Sequence, residues 1–138
     1  MEIMIKGVKV VEFKNFVDSR GTLSSLQFKE TLDFLPERIF LLSAINDSVI
    51  RGNHAHKKCK QFIYVMHGSV KVTIHNGRES AQSILNSDGK GLLLDSLIWT
   101  RLENFSSNTL VMVIASDNYD DTDYIHNWED FMKFTKNE

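Results

Sequence analysis

The stretch QFIYVMHGSVKVTIHNG, Gln61 to Gly77, decides how the chain folds. In its second half Val70, Val72 and Ile74 alternate with Lys71 and Thr73. That is the period of a strand with one buried and one wet face. Gln61–Met66 is its partner strand, and His67, Gly68 and Ser69 form the turn between them. Asn76 and Gly77 follow as a second hairpin signal, because both residues tolerate positive φ.

Working outward, Arg38–Ala44, Gly91–Leu94, Leu97–Leu102 and Thr109–Ser116 read as further strands, with Val8–Phe13 and Thr22–Phe28 two more near the start. Evenly spaced short strands joined by short turns predict an all-β sandwich or barrel. The end of the chain reads differently. Tyr124, Trp128, Phe131 and Met132 recur at helical spacing, and Asp121 or Thr122 is a suitable first residue. This predicts a short C-terminal helix packed on the outside of the barrel. Residues 1–138 thus read as a single domain, with the barrel over about 7–116 and the helical segment over about 121–135.

Composition narrows the function. A net charge of −2 excludes a broad nucleic-acid surface, which needs a clustered basic excess, but leaves room for one anionic ligand held by one or two arginines. Cys59 is the only cysteine, so no disulfide forms within the chain and cysteine-rich metal sites are excluded. Glu2, Lys6 and Lys9 interrupt the first residues, and no stretch approaches a membrane-spanning length. The expectation is a cytoplasmic protein with no membrane partner.

The most informative segment is Arg51-Gly52-Asn53-His54-Ala55-His56. Side chains two apart on a strand share a face, so both imidazoles project together past small Ala55. Gly52 permits a bulge that turns Arg51 toward the same place. Such a pair suggests a metal, but the position where a third ligand would follow holds Gln61. The distant strand offers Trp99, Thr100 and Arg101 rather than histidine, and Glu103 lies past its end. Imidazole pairs need a third and fourth ligand to hold a transition metal, so a metal-free site is expected, without a cofactor. Two neighbouring histidines with pKa values near neutrality then suit proton transfer.

These residues resemble the nucleotide-sugar 3,4-ketoisomerases, a metal-free branch of the cupins. The resemblance rests on several segments in order. They are Asp18-Ser19-Arg20-Gly21, Arg51 through Lys58, Gln61 with Gly68-Ser69, and the closing run Ala115 through Ile125. It implies a cupin (jelly-roll) barrel and a homodimer. It also implies isomerisation of dTDP-4-keto-6-deoxyglucose to a 3-keto-6-deoxy sugar in deoxysugar biosynthesis for surface polysaccharides or secondary metabolites. His54 and His56 are the catalytic candidates, with His54 the leading base and the reverse assignment open. Gln61 is expected to hold an imidazole or a sugar hydroxyl, and Arg20 and Arg51 the diphosphate. Tyr119 or Trp99 is placed against the nucleobase, with core packing favoured for Trp99. Two departures stand out: Phe40 where a tyrosine is expected, and Thr100, also a substrate-binding candidate, where relatives tend to place a histidine. They leave a non-catalytic sugar-binding cupin as a rival reading, and a 3,5-epimerase-like enzyme, which shares the fold and the Asp18-Ser19-Arg20-Gly21 segment, is a second. His67, His75 and His126 are expected to be solvated, Cys59 to be inert, and the acidic run Asp117–Asp123 to be a turn with helix-capping carboxylates.

Overall fold

A computed structural model describes residues 5–44 and 46–136. Met1 to Met4, which include the Glu2 that interrupts the first residues, lie outside the described residues. The strands are β1 (Val8–Glu12), β2 (Lys14–Asp18), β3 (Gly21–Ser25), β4 (Arg38–Ala44), β5 (Arg51–His56) and β6 (Gln61–His67), with a one-turn helix α1 (Phe28–Thr31) before β4. They continue as β7 (Ser69–His75), β8 (Ser80–Asn86), β9 (Lys90–Leu94), β10 (Trp99–Glu103), β11 (Thr109–Ala115) and β12 (Tyr124–Ile125), and helix α2 (Trp128–Lys136) follows.

Two five-stranded antiparallel sheets, ordered β1-β9-β6-β11-β4 and β12-β5-β10-β7-β8, face each other as the cupin barrel. Their inward residues form one core. Val70, Val72 and Ile74 from β7 meet Ile63 and Val65 from β6 and Val111 and Val113 from β11. The alternation in β7 is therefore the alternation of core and solvent. In β6 it disappears, because Gln61 through Val65 are all buried. Ile63 and Val65 point into the barrel. Phe62 and Tyr64 point outward and are covered by Phe13, Leu26, Leu32 and Phe34. Covering both faces of one strand makes it read as a continuous apolar run.

Four elements depart from the expectations. The strand expected over Thr22–Phe28 ends at Ser25, and Phe28 opens helix α1. β8 is a strand of the sequence SAQSILN, and its inward positions Ala81 and Ser83 are too small or polar to signal a buried face. Lys14–Asp18 is also a strand, paired only with Gly21–Ser25 as a separate two-stranded ribbon. The helical reading of 121–135 resolves into three pieces. A 3₁₀ turn spans Asp121–Asp123, Tyr124–Ile125 pairs with Ala55–His56 of β5, and the α-helix begins at Trp128. Tyr124 therefore lies on a strand, because sheet pairing with β5 outweighs its helical spacing from Trp128. Helix α2 packs as expected on the outside, where buried Phe131 joins Ala55, Leu97, Trp99 and Ile125 in a small second core.

Candidate active site

β5 is where backbone geometry sets up the site. Gly52 and Asn53 both have positive φ, 71° and 63°. The register against β10 shifts there, from Thr100 opposite His54 to Arg101 opposite Gly52. This is the bulge expected at Gly52: Asn53 is the extra residue, and a side chain on Gly52 would come within 2.9 Å of the Thr100 carbonyl oxygen. The bulge leaves Arg51 and His54 on one wall of a cavity of about 400 Å³ that opens at this end of the barrel. A cavity of this size suits a small ligand. Arg38, Phe40, Gln61, Thr100 and Tyr124 share its lining.

The two histidines lie edge to face, with ring centroids 5.1 Å apart. Their surroundings differ. His54 is on the cavity wall, while His56 sits behind it and is only 5% exposed. Asp123, equally buried, accepts a hydrogen bond from His56 Nδ1 at 3.1 Å. The same carboxylate accepts the backbone N–H of Lys58 at 2.8 Å and that of Cys59 at 3.3 Å. A carboxylate has no proton to give here, so His56 carries its proton on Nδ1 and presents the Nε2 lone pair. The Gln61 side-chain nitrogen lies 3.4 Å from that Nε2. Tyr124 bridges the pair, its ring 4.8 Å from His54 and 4.4 Å from His56.

Both imidazoles are biased toward the neutral form. Burial, reinforced by the neighbouring His56, pushes the His54 pKa down to about 4, against an opposing hydrogen bond with the Gly52 backbone. Burial also lowers His56, and the hydrogen bond and charge of Asp123 act the other way. The Asp123–His56 contact is thus a hydrogen bond between a carboxylate and a neutral ring rather than a full ion pair.

Of the residues singled out in the sequence, His54, Arg51, Gln61 and Thr100 line the cavity, and His56 stands directly behind it. Trp99 is placed elsewhere. Its ring packs on Trp128 and Phe131, outside the barrel, and its Nε1–H donates to Asn53. Adjacent residues on a strand face opposite ways, so Thr100 in the cavity dictates Trp99 on the far side. Tyr119 is exposed beside Tyr124 and does not line the cavity. Arg20 lies on the ribbon, ion-paired with Asp18 and 87% exposed.

Three site residues were not singled out. In the sequence Arg38 only starts a strand, and Tyr124 falls on the helical spacing. Asp123 was grouped with capping carboxylates, a role that Asp120 does fill by accepting from the Thr122 backbone at 3.0 Å. The signal for Asp123 was its place in the closing run Ala115 through Ile125. His126, expected to be solvated, is exposed but stacks on Tyr124 and approaches the His54 ring at 5.7 Å.

Among the described residues, His56, Cys59 and Asp123 form the one group with three potential metal-ligand side chains. Asp123 already accepts from two backbone N–H groups and the imidazole. The group also lies behind the cavity, so its donor set fits a positioned imidazole better than an open metal centre.

Comparison with known proteins places this geometry. A curated relative, the TDP-4-oxo-6-deoxy-alpha-D-glucose-3,4-oxoisomerase of Aneurinibacillus thermoaerophilus, is 35% identical over 126 residues, 91% of each chain. The 3,4-ketoisomerase QdtA from Thermoanaerobacterium thermosaccharolyticum, solved with TDP, is 30% identical with a TM-score of 0.91, covering 97% of this chain and 98% of its own. A variant of the same enzyme was solved with TDP-4-keto-6-deoxyglucose bound, at 29% identity and a TM-score of 0.92 over 98% of both chains. An epimerase from Mycobacterium tuberculosis, 14% identical with a TM-score of 0.76 over 99% of this chain and 97% of its own, shares the fold alone. The family model described as "FdtA: WxcM-like, C-terminal" matches residues 6–136, and the chain belongs to that family.

Proposed function

We propose that this protein is a sugar 3,4-ketoisomerase that converts dTDP-4-keto-6-deoxyglucose to the 3-keto-6-deoxy isomer. The observation that carries the reading is a cavity-wall imidazole backed by a second, carboxylate-oriented imidazole, in a chain 35% identical to a 3,4-oxoisomerase. The C4 carbonyl acidifies the C3 proton. His54 removes it, and the electrons of the C–H bond form a C3=C4 double bond while the carbonyl electrons move to O4. Proton return to C4, with loss of the proton on O3 and gain of one on O4, completes the shift. No redox partner is needed, and the reading assigns no metal or cofactor to the reaction. General acid–base help of this kind contributes roughly 10²–10⁴-fold.

His56 relays or orients, Gln61 holds its Nε2 side, and Thr100 offers a hydroxyl to the sugar opposite His54. Arg51, exposed at the cavity mouth, suits the diphosphate, and Tyr119 at the rim suits the nucleobase. Trp99 is assigned to packing. The reading puts the protein in deoxysugar assembly in the cytoplasm, where an aminotransferase would consume the product, with residues 1–138 read as one domain. We also assign a homodimer, because the β2–β3 ribbon exposes apolar side chains that a second copy would cover.

The test is incubation with dTDP-4-keto-6-deoxyglucose in D₂O, followed by NMR. The expected result is a carbonyl moved from C4 to C3 with deuterium at C4. An inverted ring centre with the carbonyl still at C4 would show epimerisation instead. Unchanged spectra at high enzyme concentration would refute the proposal.

A further inference from the structure

Arg38 is a cavity cation with a buried nitrogen that no group among the described residues answers. Its Nε is buried without a hydrogen-bond partner, and among the described residues no carboxylate pairs with its guanidinium. The other buried arginine nitrogen without a partner, Nε of Arg101, differs, since that side chain reaches Glu103 at 2.8 Å through a terminal nitrogen. Arg38 is held by aromatic rings instead: its guanidinium carbon lies 5.0 Å from the Phe40 ring centre and 5.7 Å from that of Tyr119. Rings fix the position of a guanidinium without neutralising it or occupying its N–H groups.

Sheet register says where this cation points. Arg38, Ala115 and Gln61 form one rung across β4, β11 and β6. Residues opposite each other on a rung face the same way, here into the cavity with Phe40 and Ile63. Ala115, the small residue between them on the rung, is fully buried. Arg38 and Gln61 therefore share the cavity wall, and the Arg38 charge acts to lower the His56 pKa. Arg51, in contrast, is exposed at the mouth on the opposite sheet.

The chemistry asks for such a group. Both imidazoles are biased neutral before the reaction, so the only positive charge they acquire is that of His54 once it holds the C3 proton, and O4 still needs a donor of its own. A fixed cation with free N–H donors is what stabilises a developing oxyanion. We infer that Arg38, set on Phe40 and Tyr119, is a catalytic residue that donates hydrogen bonds to the enediolate oxygen of the sugar, while the nucleotide diphosphate is held elsewhere. This assignment rests on the ketoisomerase reading.

The experiment compares wild type, Arg38→Gln, Arg38→Lys and Arg51→Gln. It measures kcat, KM, the dissociation constant for TDP, and the rate at which deuterium from D₂O enters the sugar ring. Thermal melting checks that each variant folds. Arg38→Gln should lower kcat by roughly 10²–10³-fold, with deuterium incorporation falling in parallel. TDP affinity should change less than about threefold, against the cost of roughly tenfold that follows loss of a charged hydrogen bond. Arg38→Lys should recover part of kcat and remains informative if the glutamine variant misfolds. Arg51→Gln should show the opposite split, weakening TDP binding by a larger factor than it lowers kcat. A tenfold loss of TDP affinity in either Arg38 variant with kcat preserved would make Arg38 a diphosphate ligand and overturn the inference, as would unchanged kinetics. An inactive wild type that still binds TDP would instead sink the ketoisomerase reading itself.

Discussion

His54 and His56 are two residues apart on one strand, yet their surroundings separate their roles. His54 has the cavity in front of it and a pKa pushed down to about 4 by burial and by His56. A depressed folded-state value means that the unfolded chain, titrating near 6.5, binds the proton more readily. The stabilising contribution of the neutral ring is therefore complete above pH 6.5 and is lost as pH falls toward 4. The melting temperature is expected to drop across that window, and less steeply in His54→Asn. The same variant should lose turnover by at least about 10²-fold while retaining TDP binding, measured by calorimetry. Near-normal turnover would remove His54 as the base.

Asp123 acts one step further back. Replacing it by Asn leaves an acceptor oxygen for one N–H but sets an NH₂ group against the others, so a buried donor loses its partner. The expected cost is about 1–3 kcal/mol in chemical denaturation. If Asp123 sets the proton on Nδ1 of His56, ¹⁵N NMR of Asp123→Asn should also show a shift toward the other tautomer, and kcat should fall more than KM rises. A variant that is destabilised but keeps the wild-type tautomer and kcat would reduce Asp123 to a structural acceptor.

Among the elements, β5 and the segment after β11 matter most. The bulge at Gly52 turns Arg51 and His54 onto one wall, and its backbone has φ 71°, where only glycine is unstrained. A methyl group there would press against the Thr100 carbonyl oxygen at 2.9 Å. Gly52→Ala should therefore cost about 1–3 kcal/mol. Because the strain sits between His54 and Thr100, KM should rise in the folded fraction. Unchanged stability and KM would mean that the bulge is not required. Much of this element was legible beforehand: histidine spacing gave a shared face, and Gly52 gave the bulge. The segment 121–136 was not. Its aromatic spacing resembled one helix, but pairing with β5 drew Tyr124 and Ile125 into the sheet. That pairing lays Tyr124 across both imidazoles, and the turn before it brings Asp123 onto His56.

At the scale of the molecule, the barrel supports a ribbon that it does not cover. Strands β2 and β3 pair only with each other. Phe16, Val17 and Leu23 are 56%, 76% and 61% exposed, and Phe16 and Leu23 oppose each other across the ribbon. A lone two-stranded ribbon is marginal in water, and such apolar exposure favours a partner surface. If that partner is a second copy, analytical ultracentrifugation should find a dimer in the wild type and a monomer in the Phe16→Ser, Leu23→Ser double variant. A wild type that sediments as a monomer at micromolar concentration would remove the homodimer. No described helix is long and apolar enough to cross a membrane.

The sequence by itself determined the all-β barrel and the paired imidazoles, because both are local: alternation with period two assigns faces, and residues two apart on a strand share one. It also marked Gln61 and Arg51, which lie near the histidines in the chain. Arg38, Asp123 and Tyr124 were decided only by the tertiary structure. Each reaches the site from 13 or more residues away through sheet register or a turn, and register across strands leaves no local pattern in the chain. Tertiary structure likewise put Trp99 outside and Thr100 inside, because which of two alternating faces lines a cavity depends on what the opposite sheet brings to meet it.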